Sequence, residues 1–590
     1  MSTSANRDIW RHPLWLGAPL ALLFVLLLIY PVGQLLLLSV QGSEGWTLAP
    51  YRKLFASSVY VNVMLITLKI AAWTTLLSVI AGYPVAYLIS SLPKERKTAW
   101  AFWILLSFWT SFLVRAFAWI LMLSRNGVVN QLLTALGLQD APSNLLYSLG
   151  AVLVGMVHAL MPLAVLTMLS VMENIDRNLP RAALTLGARP GTAFWRVYFP
   201  LSMPGVAAGA IMVFVTAVGF FIVPALLGGR REIMITQLII EQVQQTLNWG
   251  FAGAISVLLL AVVLLVFLLY DKLLGLSTMT GSSADRGRKP GRGPGPLQHA
   301  ADALLAALGH ASDALLALWP RRLRRARREA APGTTPLLRG FVLLVLFFLS
   351  VPALLMIPLS FADKSGLNWP PSGFTLRHYE TLLHSPLWMQ AALRSLLVGL
   401  GTALCAMLIG TPTAFLLARS QLRGKSLLLA FVLSPIIVPR MIIAVGLFYV
   451  FSRIGLVGSS FGLVLGHTVI AVPYVVMTMM AVLRNYDQRL DLAAQSLGAR
   501  PWQTLRHVTF PILAAGLLSS FLFAFATSFD ELTIALFATG GLNATLPKQF
   551  WDEVTLQISP VIAAVSTCLF VFVAALIWVA DRLQRRSLAN

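Results

Sequence analysis

Long apolar runs alternate with short polar connections along the whole chain. Twelve runs stand out, at 14–40, 61–91, 99–123, 148–172, 203–228 and 249–275, then at 337–361, 391–418, 426–452, 461–483, 511–538 and 560–580. Most are long enough for a helix to cross roughly 30 Å of hydrocarbon. The pattern predicts an all-α polytopic membrane protein. The first run follows Arg7, Arg11 and His12, as a signal peptide would. It is too long for the apolar core of such a peptide and lacks a small-x-small cleavage site, so it reads as a retained span with a cytoplasmic N-terminus.

Composition agrees. Of 590 residues 58% are hydrophobic and 11% charged, with mean hydropathy +0.79. A soluble chain this long needs far more charge to cover its surface. The net charge of +22 would suggest nucleic acid in a soluble protein. Here the basic residues sit in particular loops: Asp271 to Arg339 holds 12 Lys/Arg against 5 Asp/Glu, and Pro93–Lys97 and Arg419–Lys425 are also basic. Segments 229–248 and 539–559 are near-balanced. That is the positive-inside pattern, which places the basic loops in the cytoplasm and implies no nucleic-acid partner. Cys405 and Cys568 fall within apolar runs and read as small core residues, with no disulfide framework and no metal site.

The polar connections carry a repeat. Leu186-Gly-Ala-Arg-Pro190 returns as Leu497-Gly-Ala-Arg-Pro501, and Phe199-Pro200 returns as Phe510-Pro511. The offset is 311 residues, and 8 of the 15 positions in the two windows are identical. Met161-Pro162 and Val472-Pro473 share the same offset. Gly82-Tyr-Pro84 resembles Gly410-Thr-Pro412 at a different offset, which implies a longer first-half loop at about 124–147. Six spans return the chain to its starting side, so the second half can repeat the first in the same orientation. The reading divides the chain into a first domain (1–275), a basic cytoplasmic linker (276–336) and a second domain (337–590). In the linker, Gly281–Pro296 reads as flexible and Leu297–Trp319 as helical, with Leu304, Leu308, Leu315 and Trp319 on a similar face. With the basic run Arg321–Arg328 it suits either an anionic membrane surface or a solvated spacer.

The duplicated loop resembles the cytoplasmic loop of type I ABC importer permeases: Glu-Ala-Ala, three residues, Gly, then hydrophobic-x-hydrophobic-Pro. The matching residues are Ala182, Ala183, Gly187 and Pro200, and again Ala493, Ala494, Gly498 and Pro511, with 13 residues from Gly to Pro in both copies. Two small residues allow close approach to another protein, Gly turns the chain, and Arg189 and Arg500 can meet carboxylates. The family Glu is replaced by Arg181 and Leu492. Beyond the loop, Phe108–Arg115, Asn126–Asn130 and Pro224–Gly229 are similar to the first permease of spermidine/putrescine importers, and Phe529–Ile534 and Thr545–Pro547 to its sister subunit. The resemblance implies two parallel six-helix type I ABC permease repeats, about 12 transmembrane helices, fused into one chain. It further implies two ABC ATPase subunits and a periplasmic substrate-binding protein as partners, with membrane lipid around the spans. Each loop would serve as an ATPase-coupling loop, in a bacterial inner membrane with both termini cytoplasmic.

No cofactor is expected on this chain itself. Its one Gly-Lys-Ser, at Gly424–Ser426, has Arg419 where a phosphate loop needs Gly, so ATP would be used by the partner subunits and the chain is not an enzyme. Charge within a span is costly and marks a functional candidate. Asp530 and Glu531 fall in the eleventh run. On one helix they point about 100° apart, which favours one of them, Asp530, for the central path. The alternative for Asp530 is an ion pair with Arg440, Arg394 or Lys69. Trp109, Phe220, Phe221 and Phe529 could add cation–π attraction for a polyamine, with ordinary helix packing as the other reading of each. Arg115 and Arg440 read as structural bases, and His158 and His467 as hydrogen-bonded interior histidines. The leading reading is a polyamine-importing permease working by alternating access. The same class carrying ferric iron or thiamine, an ion-coupled secondary transporter, and a non-transporting scaffold remain as rivals.

Overall fold

The computed structural model describes residues 13–42, 44–274, 296–317, 335–363, 369–371, 373–420, 424–556 and 559–589. Arg7, Arg11, His12, Trp319, the run Arg321–Arg328 and nearly all of Gly281–Pro296 lie outside them. The first half contains α1 (Leu14–Leu38), α2 (Ser58–Ser91), α3 (Lys94–Trp109), α4 (Phe112–Leu123), α5 (Leu149–Met172), α6 (Asn178–Thr185), α7 (Phe199–Val218), α8 (Ile222–Leu227), α9 (Ile235–Gln244) and α10 (Trp249–Leu274). Between the halves lies α11 (Pro296–Ala317). The second half repeats the series as α12 (Pro336–Ser360), α13 (Pro386–Arg419), α14 (Lys425–Ile437), α15 (Arg440–Ile454), α16 (Ser460–Arg484), α17 (Arg489–Ser496), α18 (Phe510–Phe529), α19 (Thr533–Ala538), α20 (Leu546–Leu556) and α21 (Pro560–Ala589). Eleven helices among the described residues are long and apolar enough to cross a membrane, and twelve if α14 and α15 count as one broken span.

The duplication reaches individual contacts. The helices α2 and α13 are both 34 residues long, and α6 to α8 recur as α17 to α19 at the offset of 311. The longer first-half loop is real: a helix at Val128–Ala135 fills it, where α15 and α16 are joined by a short turn. Small residues let the spans close on each other, since lipid supplies no hydrophobic push between helices. An added Cβ at Gly205 would meet Val171 at 2.8 Å, and one at the matching Gly516 would meet Val482 at 2.6 Å. The Thr67 hydroxyl accepts from the Ile235 N–H at the start of α9 (2.9 Å), and the equivalent Ser395 accepts from Leu546 at the start of α20 (2.7 Å). Both bonds satisfy helix-end donors that have no intrahelical partner.

The first helix of each half crosses to the other. Besides its own half, α1 packs against α15 and α13, and α12 packs against α2, α3 and α4. The equivalent spans α5 and α16 are well enclosed and carry Pro162 and Pro473. His158 and His467 are fully buried there; His158 Nε2 pairs with the Leu349 carbonyl at 3.2 Å and His467 Nδ1 with Ser528 Oγ at 2.8 Å.

Three sequence expectations change. The runs 99–123 and 426–452 are each two helices, and α14 meets α15 at 87°. The runs 203–228 and 511–538 break after Val218 and Phe529. Hydropathy does not register these breaks because the residues around them stay apolar. Cys405 is only half-buried and Cys568 is exposed, so both lie toward the outside of the bundle and neither is a core residue.

Candidate functional site

Two features carry the chemistry: a charged break between the halves and the pair of repeated loops. At the break, Asp530 closes α18 and Glu531 opens α19, so they do not share one helix. The two side chains are therefore not fixed about 100° apart on one helix, and each acid has its own task. Glu531 is 2% exposed and turns back onto the start of α19, accepting from the N–H groups of Thr533 (2.9 Å), Ile534 (2.8 Å) and Ala535 (3.4 Å). A carboxylate at that position satisfies orphan donors and complements the helix dipole. His467 Nε2 lies 3.5 Å from it.

Asp530 is half-buried and faces the other half, where Ser111 at the start of α4 lines the same pocket. Arg115 and Arg440 lie within electrostatic range. Arg115 is buried, donates to the Ala159 carbonyl (3.1 Å) and sits over the Phe112 ring. Arg440 donates to the Tyr474 hydroxyl at 3.3 Å. Of the other candidate bases, Arg394 donates to the Gly458 carbonyl at 2.6 Å and Lys69 is exposed.

A small pocket lies against Asp530, lined also by Trp109, Ser111, Phe525, Phe529, Phe550 and Phe572. Phe529 stacks between Phe525 and Phe572, and Trp109 packs edge-on against Phe523. The other two aromatic candidates lie elsewhere: Phe220 packs on Phe112 and Phe221 on Trp551. The structure thus groups Asp530, Phe529 and Trp109 around one space. The duplicated position differs. Gly219 stands where Asp530 stands, and it faces Pro439, the counterpart of Ser111, with an added Cβ only 3.3 Å away. One copy of the contact is polar and the other apolar.

The repeated loops have matching conformations. In each, a short helix (α6, α17) holds the Ala pair: Ala182 and Ala493 are exposed, Ala183 and Ala494 partly so. Gly187 and Gly498 both adopt φ +90°. The Ala188 N–H returns to the Ala183 carbonyl, as Ala499 does to Ala494, giving the helix end that favours glycine. Arg189 and Arg500 are exposed, and a π-helical turn (Phe194–Tyr198, Leu505–Thr509) leads to Pro200 and Pro511 at the head of α7 and α18.

Sequence reasoning passed over Leu186 and Leu497, which are 88% and 89% exposed at the loop tips. Their signal was present, since both lie inside the identical window. It also passed over Asp491, which is buried between Arg419 (2.9 Å), the Tyr486 hydroxyl (2.6 Å) and the Thr509 hydroxyl (2.8 Å). Burial, with the Asp491 hydrogen bond, raises the Tyr486 phenol above its ordinary pKa.

A pseudo-twofold bundle of membrane-spanning helices with a cleft between its halves and two matched loops at one end is the architecture of a transport permease. Residues 14–275 and 406–588 match the family of binding-protein-dependent transport system inner membrane components, and the chain belongs to that family of type I ABC importer permeases, with the unit present twice. The spermidine/putrescine transport system permease protein PotB of Escherichia coli (strain K12) is 34% identical over 225 residues, covering 38% of this chain and 82% of the relative. PotB of Salmonella typhimurium (strain LT2) is 34% identical over 225 residues, covering 38% and 78%. PotC of Escherichia coli (strain K12) is 30% identical over 233 residues, covering 39% and 88%.

Proposed function

We propose that this permease imports polyamines of the spermidine and putrescine type across the inner membrane, driven by separate ATPase subunits and supplied by a soluble binding protein. The observation that carries the cargo is the Asp530 pocket, a carboxylate among aromatic faces at the junction of the halves. A polyammonium gains charge-assisted hydrogen bonds from the carboxylate and cation–π attraction from Trp109 and Phe529. The names of the PotB and PotC relatives point the same way.

Asp530 lines the pocket with carboxylate acceptor capacity to spare, so an ammonium can join it before the halves separate. Two ATPase subunits would grip the loops 173–202 and 484–510, with Leu186 and Leu497 as apolar knobs and Arg189 and Arg500 as charged contacts. Their closure would swing α7 and α18 and expose the pocket to each side in turn. The basic linker and both termini are assigned to the cytoplasm on the positive-inside pattern. The cargo passes without covalent change.

Uptake of labelled putrescine and spermidine in cells with and without the chain tests this, with ferric iron and thiamine in parallel and ATP depletion as control. Loss of ATP-dependent polyamine uptake on deletion is the expected result. Loss of only another cargo would remove the polyamine reading. Uptake that survives ATP depletion and collapses with the ion gradient would remove the ATP-driven one.

A further inference from the structure

The helix α11 does not stand apart from the repeats. It packs on Pro190–Tyr198, the later part of the first docking loop. The contact is built around Asp313, which is 5% exposed. Its carboxylate accepts from the Gly191 N–H (2.6 Å), the Thr192 N–H (3.0 Å) and the Thr192 hydroxyl (2.7 Å). Those two N–H groups open a helix whose own leading residue, Arg189, provides no side-chain cap. Asp313 therefore performs the capping task from a different part of the chain, with its negative charge at the positive helix end.

The surfaces are matched by small residues. An added Cβ at Gly191 would lie 2.5 Å from Ser312 Oγ and 2.6 Å from Asp313 Oδ1, and one at Gly309 would lie 3.3 Å from Thr192 Cα. The second copy cannot take the helix in this way. Trp502 and Gln503 replace Gly191 and Thr192, and Trp502 is 64% exposed. The second loop is tied to its own half instead, through Asp491 and Arg419 at the foot of α13. The side of α11 carrying Leu304 and Leu315 stays exposed.

The capped segment continues through the π-helical turn into α7, which ends at Gly219 against Pro439 of the other half. Movement of the first docking loop thus has a continuous helical path to the junction of the halves. We propose that Asp313 is a positioning residue for energy coupling: α11 and the first docking segment move as one body, so the first half receives the ATPase stroke through two joined segments and the second through its loop alone. This rests on the ATP-driven reading given above.

The test uses the full importer, with its ATPase and binding-protein partners, in proteoliposomes with labelled putrescine. Asp313→Asn and Asp313→Ala are expected to lower uptake per ATP hydrolysed about fivefold, the scale of a lost helix cap, while the protein remains assembled. Thr192→Cys with Gly309→Cys should form a disulfide on oxidation, and uptake should stay within about twofold of the same protein reduced, as one body requires. Unchanged uptake per ATP in both Asp313 variants would overturn the proposal. So would a disulfide that blocks uptake until reduced, because the helix would then have to leave the loop in each cycle. Failure to form the disulfide overturns the docked helix whatever the transport result. An absence of ATP-driven uptake by the unmodified importer overturns the underlying importer reading instead.

Discussion

Asp530 in the second half and Ser111 in the first line the same pocket. The duplicated contact, Gly219 against Pro439, has no polar group in either side chain. A fold with two equivalent junctions has therefore placed a carboxylate at only one of them. Asp530→Asn removes the charge and keeps the shape. Charge-assisted hydrogen bonds contribute about 1.5–3 kcal/mol, so ATP-driven putrescine uptake should fall at least about tenfold. Ser111→Ala takes away the neighbouring hydroxyl and leaves the charge, and should change uptake by no more than about threefold. Equal losses in the two variants would mean that Asp530 serves the junction and not the cargo.

Glu531 provides the adjacent contrast. Its three backbone hydrogen bonds at the head of α19 make it a structural acid. Glu531→Gln should cost about 1–2 kcal/mol, visible as a lower melting temperature of the purified protein. Uptake normalised to the amount of protein in the membrane should stay near the unmodified level, in contrast to Asp530→Asn.

At the loop tips, Leu186→Glu and Leu497→Glu change side chains that touch little of the chain itself. Thermal stability should stay within about 0.5 kcal/mol, while co-purification of the ATPase subunits and uptake both drop. Gly187→Ala and Gly498→Ala act through the backbone, since φ +90° strains any residue with a Cβ, by roughly 1–2 kcal/mol. Retained ATPase binding in the Leu variants would count against the apolar knobs.

Arg419 and Asp491 form an ion pair with side chains 18% and 10% exposed. Arg419→Ala leaves a largely buried carboxylate without its cation and should destabilise by about 3–5 kcal/mol. Adding Asp491→Asn removes that charge and still leaves an acceptor for Tyr486 and Thr509, so much of the loss should return. Thermal unfolding of the single and double variants measures this, and the absence of any recovery would show that the ion pair is not what holds the loop.

Much of the architecture was legible because the membrane simplifies the code. Length and apolarity located the spans, and Leu186–Pro190 with Leu497–Pro501 exposed the duplication. The breaks at Thr110, Val438, Gly219 and Asp530 were not legible, since hydropathy stays high on both sides of each. Their backbone groups are satisfied by particular side chains, such as Glu531 and Ser111, and a run of apolar letters does not announce which ones. The separate tasks of Asp530 and Glu531 followed from the same missing information. Asp313 was hidden for another reason: its partner Gly191 is 122 residues away, across a segment whose composition gives no hint of docking.

The exchange of α1 and α12 bears on why the halves share one chain. Because each half already clasps the other, no tether is needed to keep them together once they have met. The clasping surfaces are near-copies, however, and unlinked halves could pair like with like. A pair of first halves would set Gly219 against Ser111 at both junctions and hold no carboxylate there. Covalent linkage fixes the stoichiometry at one of each, so every assembled channel contains one Asp530 opposite one Ser111.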